Sequence, residues 1–157
     1  MLRLSKRTDY ALIAMRHLAL NADRGSASAR EIAEEYHVPV ELLAKVLQRL
    51  VRQGLLASHQ GINGGYQLAR SAAAITVADV IEAIDGPLTV TACSEVDESC
   101  NQYATCGIRD PLWRIKDRIV QALTTCSIKE MATESLPGEP VVPMTLVQRP
   151  APPRSWK

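Results

Sequence analysis

Phenylalanine is absent from this 157-residue sequence, and Tyr and Trp together bring the aromatic content to only 4%. A core built from such a chain must be aliphatic, and interiors of Leu, Ile, Val and Ala suit packed helices better than a β-sandwich. No run approaches the roughly 18–20 apolar residues of a membrane span. The opening Met1-Leu2-Arg3-Leu4-Ser5-Lys6 has no apolar stretch behind its charges. The expectation is therefore a cytoplasmic protein, with neither a secretory signal nor a membrane anchor. The paired C-x2-C spacing that marks a zinc knuckle is missing, as are a P-loop, a nucleophile elbow and a metal-hydrolase motif. The three histidines, His17, His37 and His59, fall on separate segments. With no general acid–base constellation in view, the chain is not read as an enzyme.

Apolar residues make up 46% of the chain, enough for one domain or one domain plus an appendage. The net charge of +1 hides an uneven distribution: residues 1–70 carry +4 and residues 71–157 carry −3. A basic first half joined to an acidic second half fits a nucleic-acid module followed by a control module.

Local signals divide the chain further. Thr8 is expected to cap a first helix running to about Asn21. Ser28-x-x-Glu31 is a capping box that opens a short helix from Ala29 to about Tyr36. His37-Val38-Pro39 then makes a tight turn, and Pro39 suits the first position of a helix reaching about Gln53, with Gly54 as its stop. Leu55–His59 and Tyr66–Ala69 read as two strands joined through Asn63-Gly64, a strong hairpin turn. Thr76-x-x-Asp79 opens a helix from Val77 to Ile84, ended by Gly86-Pro87. Asp110-Pro111 starts a longer helix with an apolar stripe at Leu112, Ile115, Ile119, Ala122 and Leu123, and Ser127 caps a last turn to about Thr133. From Leu136 onward six of the nine prolines fall within 22 residues, so the tail is expected to be disordered or extended.

The fold class expected is mainly α with a small β-hairpin wing: a winged helix-turn-helix plus a long helix, to which the resemblance drawn below gives the role of dimerisation. Its divisions are a winged-helix DNA-binding domain at 1–86, a cysteine loop at 87–109, a dimerisation helix and short terminal helix at 110–134, and a tail at 135–157. In such a fold the second helix of the pair enters the major groove and the wing lies along the backbone or in the minor groove. Leu43, Val46, Leu47 and Leu50 form the inner face of that reading helix, and Glu41, Ala44, Lys45, Gln48, Arg49 and Arg52 the outer one. Pro39, Val40, Glu41, Leu42 and Lys45 are placed to reach base edges, while Gln48, Arg49 and Arg52 suit phosphates. In the wing, Gln60, Gly61, Asn63 and Gly64, with Gly65, let the backbone come close to DNA. A solvated polar face and a plain hairpin would leave the same pattern, and helix-turn-helix units also serve purely for protein contacts.

Cys93-x6-Cys100-x5-Cys106 lies in a stretch with little helical pattern. Disulfides are rare in a reducing cytoplasm, so metal or redox chemistry is the better reading. Three soft thiolates select an iron–sulfur cluster, zinc or copper(I), with a fourth position open; reduced surface cysteines are the alternative. Cys126, outside the loop, is read as a small buried apolar residue.

Several motifs in order now make a more specific pattern. They are Leu4-Ser5-Lys6 with Thr8-Asp9-Tyr10-Ala11, the wing Gly61-Ile62-Asn63-Gly64-Gly65-Tyr66-Gln67-Leu68, Val80-Ile81-Glu82-Ala83-Ile84-Asp85-Gly86-Pro87-Leu88, the three cysteines, and Trp113-Arg114. From Met1 to about Ala132 the sequence resembles the winged-helix iron–sulfur regulators that include IscR-type, NsrR-type and SUF-system assembly regulators. The resemblance implies a homodimer paired through helices at about 110–124, which binds promoter DNA, and a cluster held by Cys93, Cys100 and Cys106. In IscR-type members a histidine three residues after the last cysteine completes a two-iron cluster. Arg109 stands there, and a permanent cation cannot ligate. In NsrR-type members an aspartate near the start of the partner's first helix completes a four-iron cluster. Asp9 holds that position, though an acid in a first helical turn is also favoured by the helix dipole. The four-iron form is favoured and the two-iron form remains possible. The function implied is a cluster-controlled repressor of iron–sulfur assembly genes, with a nitric-oxide-sensing repressor as the near rival. From another class, the rival is a small cluster carrier or metalloprotein that binds no DNA.

Overall fold

The computed structural model describes residues 4–61, 64–88 and 105–133. Six helices and one hairpin make up its elements: α1 (Lys6–Leu20), α2 (Ala29–Glu35), α3 (Val40–Arg52), β1 (Leu56–His59), β2 (Gly65–Leu68), α4 (Val77–Asp85), α5 (Arg109–Thr125) and α6 (Ile128–Thr133). Short 3₁₀ turns at Ala22–Arg24 and Ala72–Ala74 connect them. The expected class, mainly α with a small hairpin wing, is the observed one. Among the described residues no helix is long and apolar enough to cross a membrane. The calls on Cys93, Cys100, Asn63 and the 135–157 tail lie outside the described residues.

α1 is the organising element. It packs on α3, α4 and α6 through Ala11, Ala14, Met15 and Leu18, all buried. Two alanines on that face let the neighbouring helices approach closely, and the core they share is aliphatic: Ile32, Leu43, Leu47, Leu50, Ile75, Val80 and Ile128. The capping boxes at Ser28/Glu31 and Thr76/Asp79 both form with reciprocal hydrogen bonds. Ser127 and Glu130 make the same exchange at the start of α6. The first helix begins earlier than expected. Its N-cap is Ser5, whose hydroxyl accepts from the Thr8 amide at 3.2 Å, and Thr8 itself lies in the first turn, fully buried. A Thr-Asp pair before an apolar run resembles a cap, but the neighbouring Ser5 takes the role because Thr8 has a buried partner, described below.

β1 and β2 pair antiparallel, with Leu56 opposite Leu68 and His59 opposite Gly65. Ala27 adds a third, one-residue bridge: its amide donates to the Tyr66 carbonyl at 3.0 Å and its carbonyl accepts from the Tyr66 amide at 2.8 Å. The packing gives the glycines a second reason to be bare, beside the expectation that they let the backbone approach DNA. A Cβ on Gly65 would lie 2.5 Å from the Ala27 carbonyl oxygen, and one on Gly64 would lie 2.5 Å from that of His59. Both are bare so that the wing can fold onto its own chain. Gly65→Ala should therefore lower stability by about 1–3 kcal/mol, as overpacking against fixed backbone does. Urea denaturation reads this directly, and an unchanged midpoint would remove the bridge as the reason for glycine.

Candidate nucleic-acid interface and cysteine segment

The turn between α2 and α3 is short because its residues suit it. Tyr36 ends α2, His37 takes a left-handed φ of 53°, Val38 is buried, and Pro39 serves as N-cap of α3. Buried His17 of α1 meets Tyr36 edge to face, with ring centroids 5.7 Å apart, and so braces the turn. His37 and His59 are exposed on other elements.

α3 is sharply two-sided. Leu43, Val46, Leu47 and Leu50 are buried, as its spacing required. Pro39, Val40, Glu41, Lys45, Gln48, Arg49 and Arg52 are exposed, and Leu42 is half-buried. In the wing, Gln60 and Gly61 are exposed and Gly64 is half-buried. A groove of about 330 Å³ lined by Gln48, Arg52, Ser58 and Tyr66 runs between α3 and the wing, so helix and hairpin form one continuous surface. Arg49 differs from its neighbours. Its Nε donates to the Ala83 carbonyl near the end of α4 at 2.7 Å. That bond ties the reading helix to α4 and orients the guanidinium.

The same end of α4 grips the start of α1. Asp85 accepts from the Ser5 hydroxyl at 2.7 Å, the Ser5 amide at 3.2 Å and the Thr8 hydroxyl at 2.8 Å. Partial burial would raise its pKa, but the hydrogen bonds from Ser5 and Thr8, with the nearby Arg49 charge, outweigh that and hold the carboxyl below its ordinary range. Sequence reasoning missed this cluster because its members are about 80 positions apart.

At the other end of the control half, Cys106 is a half-buried free thiol three residues before α5. Arg109 pairs with Asp110 at 2.9 Å. α5 runs 17 residues without one that is fully buried, and Ile115 is 48% exposed. Cys126, expected to be buried, is only half-buried; it caps the end of α5, and its carbonyl accepts from the Val77 amide at 2.9 Å. Asp9 sits in the first turn of α1 with its side chain 43% exposed, 3.7 Å from Lys6. Among the described residues no group of three potential ligands is assembled for a metal, two of the three loop cysteines being outside them.

A tight helical pair, a cationic reading helix and a hairpin wing define a winged-helix DNA-binding transcription regulator. The family model described as "Iron-dependent Transcriptional regulator", Rrf2, matches residues 4–134, and the chain belongs to that family. It is 34% identical over 131 residues to the HTH-type transcriptional regulator IscR of Photorhabdus laumondii, covering 83% of this chain and 79% of that one. Among solved structures it is similar to CymR, the global cysteine regulator of B. subtilis, with a TM-score of 0.74, 28% identity, and coverage of 87% of this chain and all of that one. IscR of T. potens follows with a TM-score of 0.65, 27% identity, and coverage of 83% and 85%. These relatives are regulators, not enzymes.

The Asp85 cluster yields a pH prediction. A carboxyl with a depressed folded pKa contributes stability above its unfolded value, about 3.9, and that contribution is lost as pH falls through the folded pKa. Asp85→Ala should cost about 1 kcal/mol at pH 7, the low end for hydrogen bonds to a solvent-facing charge. The gap from the parent protein should narrow as pH falls below about 4 toward the depressed folded pKa. Thermal melts at pH 7 and pH 3 measure both; a gap independent of pH contradicts the charge-based account.

Proposed function

We propose that the chain is a cytoplasmic homodimeric repressor whose promoter binding is controlled by an iron–sulfur cluster. Its units are DNA binding at 1–86, cluster binding at 87–109 and dimerisation at 110–134. The observation that carries the reading is α5: a long helix with an apolar stripe left only partly covered, which begins three residues after the free thiol of Cys106. A second copy paired along that stripe would cover it and bring a partner chain beside the cysteine segment. Dimers also match operators with two half-sites.

Cys93, Cys100 and Cys106 would hold the cluster, and soft thiolates suit iron–sulfur chemistry. Asp9 of the other protomer is the fourth ligand in this reading, since its carboxylate is partly exposed and Arg109 is a paired cation. The four-iron form follows from that ligand set. When bound, the cluster supplies a link sensitive to oxidants, nitric oxide or iron supply. The chain's own part is transmission. Asp9 rides on α1, whose start is gripped by Asp85, and Ala83 two residues earlier holds Arg49 of α3. A pull on α1 therefore reaches the reading helix through two hydrogen-bonded steps. Pro39, Val40, Glu41, Leu42 and Lys45 then meet base edges, Gln48 and Arg49 meet phosphates, and Gln60, Gly61, Asn63 and Gly64 bring the wing to the backbone. The likeness of Gly86-Pro87-Leu88 and Cys106-Gly107-Ile108-Arg109 to SUF-system regulators supports iron–sulfur assembly genes as targets.

Anaerobic purification with visible absorption and native mass measurement tests the whole reading. The expected species is a coloured dimer. Cys106→Ser should lose the colour. Asp9→Ala should change cluster type or lability and weaken or retune promoter binding; if all three stay unchanged, Asp9 is no ligand. A colourless zinc-loaded monomer would overturn the proposal.

A further inference from the structure

Beside the reading helix, Arg7, which the expected DNA contacts do not include, comes together with Lys45, Arg49 and Arg52, which they do. A cleft of about 330 Å³ opens between the first turn of α1 and α3. Arg7, Lys45, Arg49 and Arg52 line it, over a floor that includes Val46 and Ile84. No carboxylate lines it. Asp85 is close enough to feel the Arg49 charge, but its oxygens already accept from Ser5 and Thr8. Among the described residues Arg7, Lys45 and Arg52 form no ion pair. Four cations around one small cleft repel one another, a cost that a bound anion removes.

Two details show that the arrangement is built. Arg49 is fixed by its Nε bond to the Ala83 carbonyl, which sets the guanidinium plane in the cleft wall and leaves its terminal nitrogens for a ligand. Arg7 stands in the first turn of α1, where the helix dipole disfavours a cation. Its neighbour Lys6 pairs with Asp9 at 3.7 Å, whereas Arg7 forms no ion pair among the described residues. A cation kept against the dipole and without a carboxylate partner suits an external anion, and the fork of a guanidinium fits phosphate oxygens. Lys45, Arg49 and Arg52 recur at helical spacing along the exposed side of α3. An anion in the cleft therefore sits alongside the groove-reading residues.

We infer that this cleft is a phosphate-binding site that clamps one backbone phosphate of duplex DNA per protomer, with Arg7 of α1 as a positioning contact from outside the helix-turn-helix. The inference rests on the DNA-binding reading and deepens it. The contact is sequence-independent, because phosphates carry no base information. It also ties the part of α1 that bears Asp9 to the DNA backbone. A change in α1 would thus alter a phosphate contact directly as well as tilt α3.

Fluorescence anisotropy with a labelled, mixed-sequence duplex of about 30 base pairs tests this on the full chain across a salt series. For wild type, affinity should fall steeply with salt. Arg7→Gln should cut the magnitude of the log–log slope by about 2 for a dimer, about 1 per lost phosphate contact. It should weaken binding at least about tenfold near 0.1 M salt. Arg7→Lys should keep most of the slope. Lys129→Gln, which removes an equal charge at an exposed position of α6, should change it little. Arg7 has no ion-pair partner among the described residues, and its removal relieves the repulsion, so the variant should melt no lower than wild type. If wild type shows no salt-dependent binding, the DNA reading itself fails. If wild type binds and Arg7→Gln behaves like Lys129→Gln, the cleft assignment fails alone. A parallel arm with inorganic phosphate separates the sources. Thermal stabilisation by millimolar phosphate that Arg7→Gln abolishes, with the DNA slope unchanged, would make the cleft a free-anion site and overturn the backbone assignment.

Discussion

The carboxylate of Asp85 sits where three parts of the protein meet. It ends α4, it holds the Ser5 and Thr8 hydroxyls at the start of α1, and it lies beside the Arg49 guanidinium of α3. Without it a fully buried threonine hydroxyl would have lost its acceptor, and the first turn of α1 would be held chiefly by its own N-cap. Arg49 completes the joint from the other side by donating to Ala83. Aliphatic burial supplies most of the folding free energy, but it is non-directional. The hydrogen bonds at Asp85 and Ala83 are directional, and they set how the reading helix is held relative to α1 and α4.

That joint also orders the function along the chain. The segment bearing Cys93, Cys100 and Cys106 follows α4 directly, Asp9 lies one residue past buried Thr8, and the cationic cleft opens between Arg7 and α3. Asp9 and the cationic cleft thus share the first turn of α1, although α1 and α3 are far apart in sequence. α5 packs on α4 but has no fully buried residue of its own, and the proposed second copy would cover its exposed apolar positions.

Much of this was legible in advance. The α3 inner face, the capping boxes at Ser28 and Thr76, the hairpin pairing and the span of α5 all follow from local rules of spacing, capping and turn chemistry, and the structure agrees with them. Local rules failed where a distant residue competed. Thr8 was the expected cap, yet its hydroxyl reaches Asp85 and Ser5 does the capping. Gly65, read for its approach to DNA, also makes room for the Ala27 backbone, a contact no local rule gives. Arg7 carried a faint signal, a cation placed against a helix dipole, whose meaning depended on what stood opposite.

The sequence by itself determined the elements and the class of protein. Amphipathic period, caps and glycine turns act over a few residues, and an ordered series of such motifs is specific. Only the tertiary structure decided which polar groups meet: Ser5 and Thr8 with Asp85, Arg49 with Ala83, Arg7 with Lys45 and Arg52 around one cleft. Such pairings depend on helix packing across some 30 to 80 positions of chain, and no periodicity within one element encodes them.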